Sequence, residues 1–137
     1  MLSLHGYTIV EELAAISVST DLFIAHDSAS NRVLVKRFKK QDYKSTLGRF
    51  KRANEQLTHL KVSGIIKPSN IHEDQQYCYA IFPLANDVCF LKQKITDSKL
   101  DIEEQLTIAI NLNKLVGDVH QHNFVINHLC PSNILID

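Results

Sequence analysis

Residues 120–135 read HQHNFVINHLCPSNIL, and this stretch decides how the chain is read. It leaves a helix end near His120, crosses a polar loop and finishes strand-like at Ile134 and Leu135. His120, His122, His128 and Cys130 cluster here and bring zinc to mind. His120 and His122 are two apart at a helix end, so they diverge, and no second Cys/His pair has ligand spacing. His128 stands two residues before Cys130, which raises a thiol nucleophile. No orienting acid accompanies them, and a small apolar cysteine is the plainer reading.

Upstream, residues 102–121 carry helical periodicity, with Asp101 as N-cap and Glu103 and Glu104 at the positive end of the helix dipole. Two apolar stripes run along this helix: Ile102, Leu106, Ala109 and Val116, then Ile108, Leu112, Leu115 and Val119. A helix apolar over so much of its girth is normally covered on more than one side. Residues 88–96 form a short amphipathic segment.

Further back, the period changes. Strands are expected over 69–73 and 77–82, joined by the polar turn 73–76 and ended by Pro83. Residues 42–61 are helical, with Leu47, Phe50, Asn54, Leu57 and Leu60 on one stripe and Ala53 beside them. Residues 7–15, 20–27 and 32–38 are β-rich, and SASN at 28–31 is a turn signal. The order β-β-β-α-β-β-α-α-loop-β makes an α+β fold: a small antiparallel sheet with one helix, then a helical layer.

Composition narrows the function. The 137 residues suit one domain or part of a larger one. Fifteen Lys and Arg balance fifteen Asp and Glu, so no cationic field recommends nucleic acid as a partner. The four glycines, at 6, 48, 64 and 117, are scattered, which excludes both glycine-built phosphate cradles, Walker A and the dinucleotide fingerprint. Three cysteines without a CxxC fit a reduced, cytoplasmic setting. The N-terminus lacks a signal-peptide core, and no run is long enough to span a membrane.

In this order, the elements and motifs resemble the first half of a protein kinase domain. Residues 120–135 resemble the LHxxxxxHRDLKPxNIL catalytic segment, and Val33-Leu34-Val35-Lys36 resembles the V-A-I-K strand. Leu22-Phe23-Ile24-Ala25 resembles the strand after the glycine-rich loop, and residues 49–68 resemble helix C and the turn beyond it. Residues 79–86 resemble the hinge, with Phe82 in the gatekeeper place and Ala85 nearby. The style of GYTIVEEL and GIIKPSNI is similar to the kinase-like domain at the N-terminus of large bacterial multi-domain signalling proteins. The resemblance implies a five-stranded antiparallel N-lobe with helix C over 1–83. Residues 84–137 are then hinge and partial C-lobe, truncated after the catalytic loop and before the activation segment.

The resemblance also shows what has changed. Phosphoryl transfer needs phosphates held, metal held and a carboxylate by the accepting hydroxyl. The loop between the first two strands, residues 13–21, has no glycine, and Asp21 is expected to add negative charge near phosphate. Lys36 keeps the phosphate-pairing lysine, but Leu34 fills the place of a small alanine against adenine. Ala53 stands for the helix C glutamate; Glu55, the nearest acid, lies about 200° further round the helix. His128 replaces the catalytic aspartate and Cys130 the loop lysine, while Asn133, a metal-ligand position, persists. A neutral imidazole can accept a proton yet cannot supply fixed negative charge.

The expected function is a catalytically inactive kinase-like signalling or regulatory module of a larger cytosolic protein. It binds no cofactor tightly and works through protein partners or the domains that follow, with no role at a membrane. The alternative is an atypical ATP- and Mg²⁺-binding Ser/Thr kinase using Lys36, Asn133 and His128. Residues 36–52 hold eight basic side chains against Asp42, whereas 71–104 hold seven acids against three lysines. Solvated faces explain both runs, and either could also guide docking of a partner. The open face of helix 102–121 is expected to make a homodimer.

Overall fold

The computed structural model describes residues 3–17, 20–40 and 44–137, without the side chains of residues 3, 14–17, 44–47 and 49. It divides into two compact units: residues 1–59 with 66–86, and residues 60–65 with 87–137.

In the first unit the five expected strands form one antiparallel sheet. They are β2 (Tyr7–Ser17), β3 (Thr20–His26), β4 (Arg32–Lys39), β5 (Asn70–Glu73) and β6 (Tyr77–Pro83). A two-residue strand, β1 (Ser3–Leu4), adds to the edge, giving the order β1-β2-β3-β4-β6-β5. The β1–β2 turn uses left-handed backbone at His5 (φ 49°) and Gly6 (φ 87°), which glycine adopts at little cost. Asp27 closes the β3–β4 turn: its Oδ1 accepts from the Ala29 and Asn31 backbone and its Oδ2 from the Asn31 amide. These bonds hold its carboxyl below the usual aspartate range.

Period-2 alternation sorts the sheet into two apolar faces. Phe23, Ala25, Val33, Val35, Tyr79 and Ile81 form one buried cluster, with Leu4, Tyr7, Ile9 and Tyr77 packed against it. Leu22, Ile24, Leu34, Cys78 and Ala80 occupy the intervening positions and are buried as well. The first face is closed by the curl of the sheet. Although β1 and β5 are at opposite ends of the strand order, His5 stacks on His72 at 5.5 Å between ring centroids. The Asn70 amide also donates to the Tyr7 hydroxyl at 3.2 Å.

Helix α1 (Lys44–His59) belongs to this unit. Phe50 meets Phe38 at 4.9 Å, so the helix lies on the face that carries Leu34 and Lys36. Phe50, Asn54 and Leu57 are half-buried, as their spacing predicts, but Ala53 is exposed. The Leu47 side chain falls outside the described ones.

In the second unit, β7 (Cys89–Phe90) leads into α2 (Leu91–Thr96), followed by α3 (Ile102–Gln121). A 3₁₀ turn at Pro131–Asn133 precedes β8 (Leu135–Ile136), which pairs with β7. Leu60 and Val62 are buried. Gly64 (φ 91°) brings the backbone so close to α3 that a Cβ there would stand 3.3 Å from Leu115 Cδ1. Helix α3 starts on a full capping box: Asp101 Oδ1 accepts from Glu104 N at 2.8 Å, and Glu104 Oε2 from Asp101 N at 3.0 Å. An Asp101→Ala variant should lose about 1 kcal/mol of stability and fray at the first turn of α3. Amide exchange at residues 102–105 checks this; unchanged protection there contradicts it.

Candidate functional site

The residues singled out in the sequence fall into two groups, one in each unit. In the first, Leu34 lies opposite Phe82 across β4–β6, and Lys36 lies opposite Ala80. Alternation puts Leu34, Lys36, Ala80 and Phe82 on one face of the sheet. Leu34 is buried, while Lys36 and Phe82 are half-buried. Beyond β6 the chain turns outward, and the Arg32 guanidinium donates to the carbonyls of Ala85 and Asn86, both at 3.1 Å. This pins the segment expected to be the hinge against the start of β4. A shallow, open depression of about 420 Å³ lies beside it, lined by Asp27, Arg32, Ser69, Leu84 and Ala85 among others.

Asp21 is not where the sequence reading put its charge. It pairs with Arg37, one residue on from Lys36 and so on the opposite face of β4. Arg37 Nη2 and Nε reach Asp21 Oδ2 at 2.6 and 2.8 Å, and the guanidinium lies over the rings of Phe23 and Tyr77. The carboxylate is neutralised on the face away from Lys36. The register of β3 on β4 decides this, and nothing local in residues 13–21 reports it. Strand β2 continues through Ser17, so the place of a phosphate-holding loop is extended strand; Val18 and Ser19 lie outside the described residues.

Where the resemblance leaves Ala53 in place of the helix C glutamate, helix α1 brings a lysine to the sheet. Glu55 and Ala53 are exposed. The helix contributes Lys51 and the sheet contributes Glu73, whose carboxylate pairs with both Lys51 and, at 2.9 Å, Lys40. Hydrogen bonds from Lys51 and then Lys40 hold the Glu73 carboxyl below the usual range, and the same contact raises the Lys51 ammonium. Sequence reasoning missed this triad. Its signal was a glutamate at a strand end facing a basic run, legible only once β5 is placed beside α1.

In the second unit, residues 122–130 form an open loop. The His122 ring meets the Asp118 carbonyl at 2.9 Å, capping the end of α3. His128 is exposed, and its ring has no hydrogen bond or ion pair with any described residue. Its carbonyl accepts from Asn133 Nδ2 at 3.2 Å, and Asn133 N donates to the Cys130 carbonyl at 2.9 Å. Asn133 therefore closes the loop with its amide nitrogen, and its Oδ1 accepts no hydrogen bond from a described residue. Cys130 is a half-buried free thiol. The β7–β8 pair and the bond from Leu91 N to the Ile134 carbonyl tie this loop to α2. Among the described residues no three His, Cys, Asp or Glu side chains converge on a metal-sized site, and no helix is long and apolar enough to cross a membrane.

No protein-family model matches the chain, and no curated protein matches it in sequence. Its architecture does match solved structures. One is Rad53 1–466 in complex with AMP-PNP, similar at a TM-score of 0.73 and 17% identity over 96% of this chain. The match spans about a third of the Rad53 chain, 34%. With that likeness over nearly all of its length, the chain has a protein-kinase-like α+β fold, its antiparallel sheet and helix matching a kinase N-lobe.

Proposed function

We propose that this chain is a kinase-like regulatory module that does not transfer phosphate. It acts as the N-terminal part of a larger signalling protein of the bacterial multi-domain type. The observation that carries this reading is the loop at 126–133. It is closed by Asn133 and presents an exposed imidazole, His128, where phosphoryl transfer needs a fixed carboxylate. Cys130 adds no positive charge for the transferring group. Losing one charge-stabilising group typically raises a barrier by several kcal/mol, and this chain lacks the glycines, the aspartate and the loop lysine together.

A second reading is an atypical nucleotide-binding kinase with His128 as substitute base. It is favoured by Lys36, Leu34 and Phe82 sharing a face and by Asn133 Oδ1, which accepts no hydrogen bond from a described residue. Thermal denaturation with excess Mg·AMP-PNP separates the two. A ligand at a hundred times its Kd adds about 2.7 kcal/mol and raises Tm by several degrees. The expected result is no shift at millimolar nucleotide. A clear shift abolished by Lys36→Ala would overturn the reading of a module that holds no nucleotide.

A further inference from the structure

We propose that α3 pairs antiparallel with the α3 of a second copy of this chain, in one register set by Glu103 and Lys114. Three large apolar side chains stand open along its first half: Ile102 is 75% exposed, Leu106 59% and Ile110 66%. At about 100° per residue, Ile102, Leu106, Ala109 and Ile110 form one seam, continued by Asn113 and Gly117. The half-buried residues Ile108, Leu112, Leu115 and buried Val119 lie on a different side, so the seam is not the helix's own packing face.

Charge identifies the occupant. Glu103 and Lys114 are both exposed, eleven residues apart, which is three turns to within about 20°. They therefore flank the seam on the same side. The opposite flank carries Gln105 and Val116 and no charge. In an antiparallel pair, side chains on one flank meet the same flank of the partner. A two-fold axis close to Ala109 then places Glu103 against the second copy's Lys114, and Lys114 against its Glu103. The small Ala109 falls at the axis, Leu106 meets Ile110, and Ile102 meets the low ground at Asn113 and Gly117. A surface self-complementary in both charge and shape is what an isologous dimer requires, and antiparallel helix dipoles favour the same arrangement. A parallel pair would set the charged flank of each helix against the uncharged Gln105 and Val116 flank of the other, leaving Glu103 and Lys114 unpaired across the seam. One helix pair buries less than the ~800 Å² per partner of a standard interface, so the association is micromolar and weakens with salt.

Sedimentation of the whole chain across micromolar to near-millimolar concentrations tests this. The native chain should move from monomer to dimer. Glu103→Lys and Lys114→Glu should each weaken the dimer at least tenfold, and an equimolar mixture of the two should regain it. Ile110→Ser should abolish it with the fold intact by circular dichroism. A native chain that stays monomeric at the highest concentration overturns the proposal and assigns the seam to another occupant. A dimer indifferent to both charge reversals overturns the register and with it the proposal.

Discussion

Ile81→Ala should destabilise this protein by about 3–4 kcal/mol, the usual range for emptying a closed aliphatic site. Ile81 is 1% exposed and sits on β6 between β4 and β5, opposite Val35 and Asn70. Its neighbours in the buried cluster are held by sheet hydrogen bonds on both sides, so they cannot collapse into the space. Its own carbonyl also receives the Ser69 backbone N–H at 2.7 Å and hydroxyl at 3.2 Å, which fixes the entry into β5. For a chain of this length such a loss lowers Tm by about 10–15 °C. Ile81→Val should cost only about 1 kcal/mol. Ile110→Ala, at an open helix position, should change stability little. Equal losses at Ile81 and Ile110 in chemical denaturation would contradict the assignment of core and open face.

The parts of the fold that local chemistry specifies were legible. Alternation in RVLVKRFK marks β4, and the Asp101 cap with acidic first turn fixes the start of α3 at Ile102. The parts set by distant pairing were not. Strand β1 is two residues long and exists because β2 pairs with it. The β7–β8 contact joins residues 45 or more positions apart and leaves no local period. The same division runs through the candidate site. Leu34 and Lys36 share a face because alternation along β4 dictates it, whereas Phe82 joins them only through the β4–β6 register. Asp21 needed the β3–β4 register, and the Glu73 triad needed the placement of α1. The exposure of Ala53 has that origin too: the helix is oriented by Phe50 on Phe38 and Lys51 on Glu73, not by its apolar stripe alone.

Asp74→Ala should cost about 3 kcal/mol, far more than an exposed turn carboxylate ordinarily does. Its Oδ1 accepts the backbone N–H groups of Gln76 and Tyr77, both at 2.7 Å, which shapes the β5–β6 turn. Its Oδ2 accepts the Tyr79 hydroxyl at 2.6 Å, with His5 Nε2 at 3.9 Å. Tyr79 is only 4% exposed, so the alanine variant strands a hydroxyl in the core beside the stacked His5 and His72. Asp74→Asn keeps the turn acceptor and should cost less. The Tyr79 bond, then the two backbone bonds, hold the Asp74 carboxyl below its ordinary value. That stabilisation is present above the ordinary carboxylate range and is lost as pH falls through the depressed value. Burial, then the bond to Asp74, pushes the Tyr79 phenol above the ordinary tyrosine range. Its contribution is complete below that range and declines as pH rises beyond it. His5, His72, Arg37 and the Lys40 ammonium, which donates to the Asp74 carbonyl at 2.7 Å, border the pair. Stability of the native chain should therefore fall at both pH extremes. Asp74→Asn should flatten the acid limb while keeping the alkaline one. An acid limb unchanged in Asp74→Asn would assign that loss to other carboxylates, Glu73 first among them, because its two lysine bonds also depend on ionisation.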